Sequence, residues 1–163
     1  MMWSNQLKNT RGVTLVEMMI VVAIMGILAS IAVPNFARHL PGIRLKGDVR
    51  DVASVFRLAR MRAVAECRHY GVYLDDGSTP PAYALFRDID ENGVYNEIAD
   101  STLFGAELYR KTEIGQVNLS DDVVIFYPDG SSNGGWVSMG LAGHSDSLVV
   151  DILPSTGRVK IVR

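Results

Sequence analysis

Three groups of residues in this 163-residue chain have the types and spacing that chemistry asks for. Gly130-Ser131-Ser132-Asn133-Gly134 has the Gly-x-Ser-x-Gly spacing of a nucleophile elbow. That device needs a strand before the serine, a helix after it, and an acid followed by a histidine downstream. Here more glycine and a β-type run follow, and His144 comes before Asp146, so the segment is expected to be a glycine-rich turn. His39, His69 and His144 lack the spacing of a zinc-ligand set, and the sequence contains no phosphate-cradling glycine loop. No enzyme is expected from these residues.

The second group is Asp88-x-Asp90-x-Asn92-Gly93, the first half of a calcium loop, with oxygen donors at positions one, three and five and glycine at six. Asn96 falls at position nine, which makes Asp88, Asp90, Asn92 and Asn96 the candidate ligands for calcium. Position twelve, where a bidentate glutamate belongs, is Ala99, leaving Glu97 or Asp100 to supply a substitute carboxylate. The competing reading is a hairpin turn, in which Asp, Asn and Gly are common for purely local reasons.

The third group is a single carboxylate in the wrong solvent. Residues 13 to 33 run VTLVEMMIVVAIMGILASIAV, 21 residues whose only charge is Glu17. As a helix rising about 1.5 Å per residue, this run spans roughly 30 Å, the thickness of a bilayer core. A carboxylate inside such a helix costs about 2.5–3.5 kcal/mol on insertion scales, so Glu17 calls for a function. Lys8 and Arg11 precede the run without any acid, which keeps the N-terminus cytoplasmic and sends the rest across the membrane. A secretory signal peptide is disfavoured, because the apolar core is too long despite a small-residue site at Ala29-Ser30-Ile31-Ala32. A plain anchor would leave Glu17 unexplained.

Arg11-Gly12-Val13-Thr14-Leu15-Val16-Glu17, followed by the apolar run, resembles the signal of type IV pilins and pseudopilins. The resemblance implies a leader of residues 1–12, cleavage by a prepilin peptidase between Gly12 and Val13, and methylation of the new Val13 amine. It makes Glu17 the fifth mature residue, the family's assembly glutamate. Where the family usually starts its mature chain with phenylalanine, this chain has Val13. Cleavage would create an ammonium with a pKa near 7.7–8 at the head of an apolar helix. The Glu17 carboxylate of a neighbouring subunit can match it. With both charges desolvated, a misregistered neighbour leaves them unpaired at several kcal/mol, so the pair acts as a register key. The stretch Ala32-Val33-Pro34-Asn35-Phe36 is also similar to pilins, and Pro34 is expected to kink or interrupt the continuing helix.

The elements that must carry these groups change character along the chain. The pilin resemblance makes residues 13–34 the transmembrane and filament-assembly helix. Over 35–70, Leu45, Val49, Val52, Phe56, Ala59 and Ala63 recur at spacings of three and four, an amphipathic helix that Gly42 and Gly47 weaken near its start. Cys67, the only cysteine, permits no internal disulfide and is expected as a small buried residue near the helix end. From His69 onward, β-type runs are predicted at 69–74, 82–87, 123–127, 136–139, 147–153 and 158–162. Pro154-Ser155-Thr156-Gly157 is expected to turn the last hairpin. The prediction is a pilin-like α+β protein: a long N-terminal helix packed on an antiparallel sheet, with residues 71–163 as a β-rich periplasmic head. Formal charge splits between these regions, about +5 over residues 35–70 and about −8 from residue 71 on.

Within the pilin family the head resembles H-type minor pseudopilins and FimT-type minor pilins. The resemblance rests on the helix ending Arg60-Met61-Arg62-Ala63-Val64-Ala65, on Phe126-Tyr127-Pro128-Asp129-Gly130 and on Gly157-Arg158-Val159. It implies a minor pseudopilin of type II secretion, anchored once in the bacterial inner membrane and then assembled into a periplasmic pseudopilus. The alternative is a minor pilin that primes a type IV pilus or binds DNA. Implied partners are other pseudopilins or pilins, the prepilin peptidase and the inner-membrane assembly platform, with no small-molecule substrate. For DNA, the matching stretch is Gly157-Arg158-Val159-Lys160 with Arg163, where lysine replaces an arginine and loses its bidentate fork. The acidic head argues against a general nucleic-acid surface.

Overall fold

A computed structural model describes residues 13–144 and 147–162 of the chain. It divides into two compact units, one ending at His39 and the other starting at Leu40. Helix α1, Leu15–Glu66, contributes to both.

Thr14 starts the helix. Its Oγ1 accepts the Glu17 N–H at 3.1 Å, satisfying one of the donors that a helix start leaves unpaired, and Glu17 places its charge in the positive first turn. From Val13 to His39 every residue is exposed, including Ile24, Ile27, Leu28 and Ile31. A helix apolar on all sides needs an apolar surrounding, and this one is long and apolar enough to cross a membrane. The helical conformation continues through Pro34, Pro41, Gly42 and Gly47, so neither the prolines nor the glycines interrupt it.

The helix ends at Glu66, four residues before the expected limit at 70, and Cys67 is the reason. It adopts a left-handed φ of 51°, and the Arg68 N–H closes back onto the Ala63 carbonyl at 3.2 Å, the wide hydrogen bond of a Schellman cap. Cys67 is therefore exposed at the cap, in place of the buried position expected for it. A cap residue points out of the helix stripe, and hydrophobic periodicity alone does not register it.

Eight strands follow: β1 Tyr70–Asp75, β2 Ala82–Arg87, β3 Ser101–Glu107, β4 Thr112–Asn118, β5 Val123–Phe126, β6 Gly135–Leu141, β7 Ser147–Leu153 and β8 Arg158–Val162. They form two four-stranded antiparallel sheets, ordered β3-β2-β1-β5 and β4-β6-β7-β8, where one sheet was expected. The added strands, β3 and β4, are both edge strands with mostly exposed residues. All six residues of the predicted helix stripe are buried. They share one core with Tyr70, Val72, Leu74, Leu85 and Phe126 of the first sheet and Val137, Met139, Val150 and Ile152 of the second. Phe56 sits at its centre, 6.4 Å from the Phe126 ring.

The opposite face of the first sheet carries a smaller core of Phe86, Val123 and Ile125, against which Tyr73, Tyr95 and Tyr127 pack. Gly71 lets β1 lie in it, because any side chain there would collide with the Phe86 ring. Tyr95 stacks on Tyr73 at 4.9 Å and leans on Phe86 at 4.9 Å. The segment linking β2 to β3 is thereby fixed to the outer face of the sheet.

Candidate functional site

The acidic segment Asp88–Asp100 is the link that Tyr95 holds down. Asp88 follows the end of β2 and its N–H donates to the His69 carbonyl at 3.2 Å. Glu91 and Gly93 turn the chain with φ of 57° and 76°. Gly93 then donates its N–H to Asp88 Oδ2 at 3.0 Å, closing the loop on its first residue. Asp88 Oδ1 is sealed from solvent and has no hydrogen-bond partner among the described residues. Burial pushes the Asp88 carboxyl above the usual carboxylate range. The Gly93 N–H opposes that shift, and the neighbouring Asp90 and Asp100 add to it.

Asp100 enters the same cluster. One oxygen from each of Asp88, Asp90 and Asp100 lies within 4.8 Å of the others, with Asp88 and Asp100 buried and Asp90 exposed. Asp100 Oδ1 accepts the Ile89 N–H at 3.1 Å and Oδ2 accepts the Asn96 N–H at 2.9 Å, tying the two ends of the loop together. The two asparagine side chains bond within the loop. Asn92 donates to Asp90 Oδ2 at 2.7 Å and accepts the Val94 N–H at 2.7 Å. Asn96 Oδ1 takes the N–H groups of Ile98 at 3.0 Å and Ala99 at 3.4 Å. Of the two substitute carboxylates open to the sequence, the fold selects Asp100 and leaves Glu97 in solvent.

The other candidate residues are placed apart from this cluster along the chain. Val13 and Glu17 lie at the start of α1, and Gly12 and the rest of the leader are outside the described residues. Thr14 was not singled out from the sequence, although Thr14-x-x-Glu17 has capping-box spacing and signals it. Arg158 and Lys160 are exposed on β8, an edge strand, where Lys160 pairs with Asp151 of β7; Arg163 is outside the described residues. The Gly-x-Ser-x-Gly segment leads from β5 into β6, not into a helix. Its Asn133 side chain bonds the Ile125 N–H at 2.9 Å and the Val123 carbonyl at 3.1 Å, satisfying the outer edge of β5.

Three short pieces that looked pilin-like in sequence meet in space. Arg60 Nε donates to the Gly130 carbonyl at 3.0 Å, and Gly157, at φ 56°, leaves only room for a hydrogen against that same carbonyl. One arginine bonds the helix to the β5–β6 turn, and Gly157 of the β7–β8 turn packs close against both. A second anchor is Asp48, whose Oδ2 accepts the Tyr109 N–H at 3.0 Å and the Thr112 hydroxyl, fixing the turn between β3 and β4.

A long N-terminal helix whose second part packs on antiparallel sheets is a pilin-like fold, and comparison with known proteins gives its family. Residues 7–33 match the prokaryotic N-terminal methylation motif, and residues 48–156 match the family described as type II transport protein GspH. The chain belongs to the GspH family. Among solved structures it is similar to the minor pseudopilin EpsH from the type 2 secretion system of Vibrio cholerae. That likeness has a TM-score of 0.58 and 11% identity, covering 73% of this chain and 96% of EpsH. It is also similar to the type IV minor pilin FimU of Pseudomonas aeruginosa, with a TM-score of 0.56 and 12% identity over 73% of this chain and 88% of FimU. At these identities the likeness is one of fold. No curated protein matches the chain.

Proposed function

We propose that this protein is a minor pseudopilin of a type II secretion system, a structural subunit that assembles through the first part of α1. The observation that carries this reading is the pairing of a methylation motif over residues 7–33 with a GspH match over 48–156 in one chain. A prepilin peptidase removes residues 1–12 after Gly12, and the amine of Val13 is methylated. The apolar helix then holds the subunit once in the inner membrane, with the head on the periplasmic side, until the assembly platform moves it into a pseudopilus beside other pseudopilins.

Glu17 directs that assembly. Thr14 already takes the Glu17 N–H, and among the described residues no hydrogen bond or ion pair engages the Glu17 carboxylate. A charge in the first turn of an apolar helix, with no partner of its own, is available to the Val13 ammonium of a neighbour.

A minor pilin of a type IV pilus is the second reading, favoured by Pro34 within Ala32-Val33-Pro34-Asn35-Phe36. Deleting the gene separates the two. Loss of exoprotein secretion with intact surface pili and transformation is the expected result. Loss of pili with normal secretion would move the protein to the pilus. Mass spectrometry of the membrane-extracted chain should find an N-terminus at Val13 carrying one methyl group, whereas a start at Val33 would mean signal-peptidase cleavage and end both readings.

A further inference from the structure

We propose that the Asp88–Asp100 loop binds a calcium ion through the carboxylates of Asp88, Asp90 and Asp100. This inference is independent of which filament the subunit joins. Two observations carry it. The three carboxylates converge within 4.8 Å, and no ion pair engages them among the described residues. Separately, Asp88 is 97% buried, and its Oδ1, shut off from water, has no donor to satisfy it. A buried oxygen left bare is costly, and three converging acids repel one another. A divalent cation answers both at once.

The donor set selects the ion. It is all carboxylate oxygen, a hard set suited to calcium or magnesium and not to zinc or copper. Calcium accepts the irregular, partly bidentate coordination that a loop of this kind offers, while magnesium demands a near-octahedral shell. The loop also explains why the ion would matter to the head. Asp100 Oδ1 and Oδ2 already hold the Ile89 and Asn96 N–H groups, and Tyr95 pins the same loop onto Tyr73 and Phe86. An ion bound to Asp100 and Asp88 would join the end of β2 to the start of β3 and seat the tyrosine on the sheet.

The test uses the full-length chain in detergent, stripped of divalent ions with a chelator and then given calcium chloride or magnesium chloride. Calorimetric titration should show one calcium site with Kd on the order of 10⁻⁴ M, as in modules that work outside the cytoplasm. Millimolar calcium should raise Tm by about 3–6 °C, and magnesium should do much less. Asp88→Asn should fold without calcium, since a neutral amide relieves the repulsion, and should lose the calcium response. Asp100→Asn disturbs two backbone contacts and carries a folding risk, so the exposed Asp90→Asn serves as the second variant, with affinity at least about tenfold weaker. A wild-type Tm indifferent to calcium would overturn the proposal. So would an undiminished calcium shift in both Asp88→Asn and Asp90→Asn, and an equal response to magnesium would overturn the assignment to calcium.

Discussion

The two parts of helix α1 share a backbone conformation and little else. Up to His39, apolar side chains emerge on every side and all are exposed. From Leu40, one apolar stripe, Leu45, Val49, Val52, Phe56, Ala59 and Ala63, is buried under the strands of the same chain, while Ile43, Met61 and Val64 stay exposed. The second part is completed by its own sheets. The first has no such cover among the described residues, and under the proposed function a bilayer or the helices of other subunits supply it. Hydrophobicity alone therefore does not assign a role to a helix; the distribution of apolar residues around it does.

Truncating equivalent apolar residues in the two parts should break them apart. Phe56→Ala removes a fully buried ring at the centre of the head and is expected to cost about 3–5 kcal/mol, read as a large fall in Tm of the detergent-solubilised protein. Ile24→Ala should leave head stability within about 0.5 kcal/mol, because Ile24 is exposed. Comparable losses in both would mean that the first part is also packed internally. A smaller change sharpens the boundary between helix and head. Cys67→Gly relieves a left-handed residue at the helix cap and should stabilise the head by about 0.5–1 kcal/mol in denaturant unfolding, whereas destabilisation would mean that the thiol itself is needed.

The same contrast explains how much was legible in the residues. Burial patterns that repeat are visible: the six-residue stripe of α1 and the runs 82–87, 147–153 and 158–162 agree with the observed elements. The edge strands β3 and β4 were missed because their residues are mostly exposed, so selection for alternation is weak, and Gly105 and Gly115 further dilute the signal. With those strands missing, two sheets merged into one expectation. Capping escaped for a different reason: Thr14 and Cys67 act through single backbone hydrogen bonds, which hydrophobic periodicity does not encode. In the acidic loop, Asp100 stands one place beyond the template position occupied by Ala99, and only the fold shows that it, and not Glu97, turns inward.

In the proposed function, the first part of α1 meets neighbouring subunits and Glu17 sets their register. Site-specific crosslinking between this protein and partner pilins, compared for wild type and Glu17→Leu, tests it most directly. Glu17→Leu should insert into the membrane at least as well, since it removes a charge costing about 2.5–3.5 kcal/mol, and should still be cut after Gly12. Its crosslinks should nonetheless be lost, because the neighbour's Val13 ammonium is left unpaired at about 3–5 kcal/mol. Wild-type crosslinking by Glu17→Leu, in a strain that still secretes or bears pili, would contradict the account.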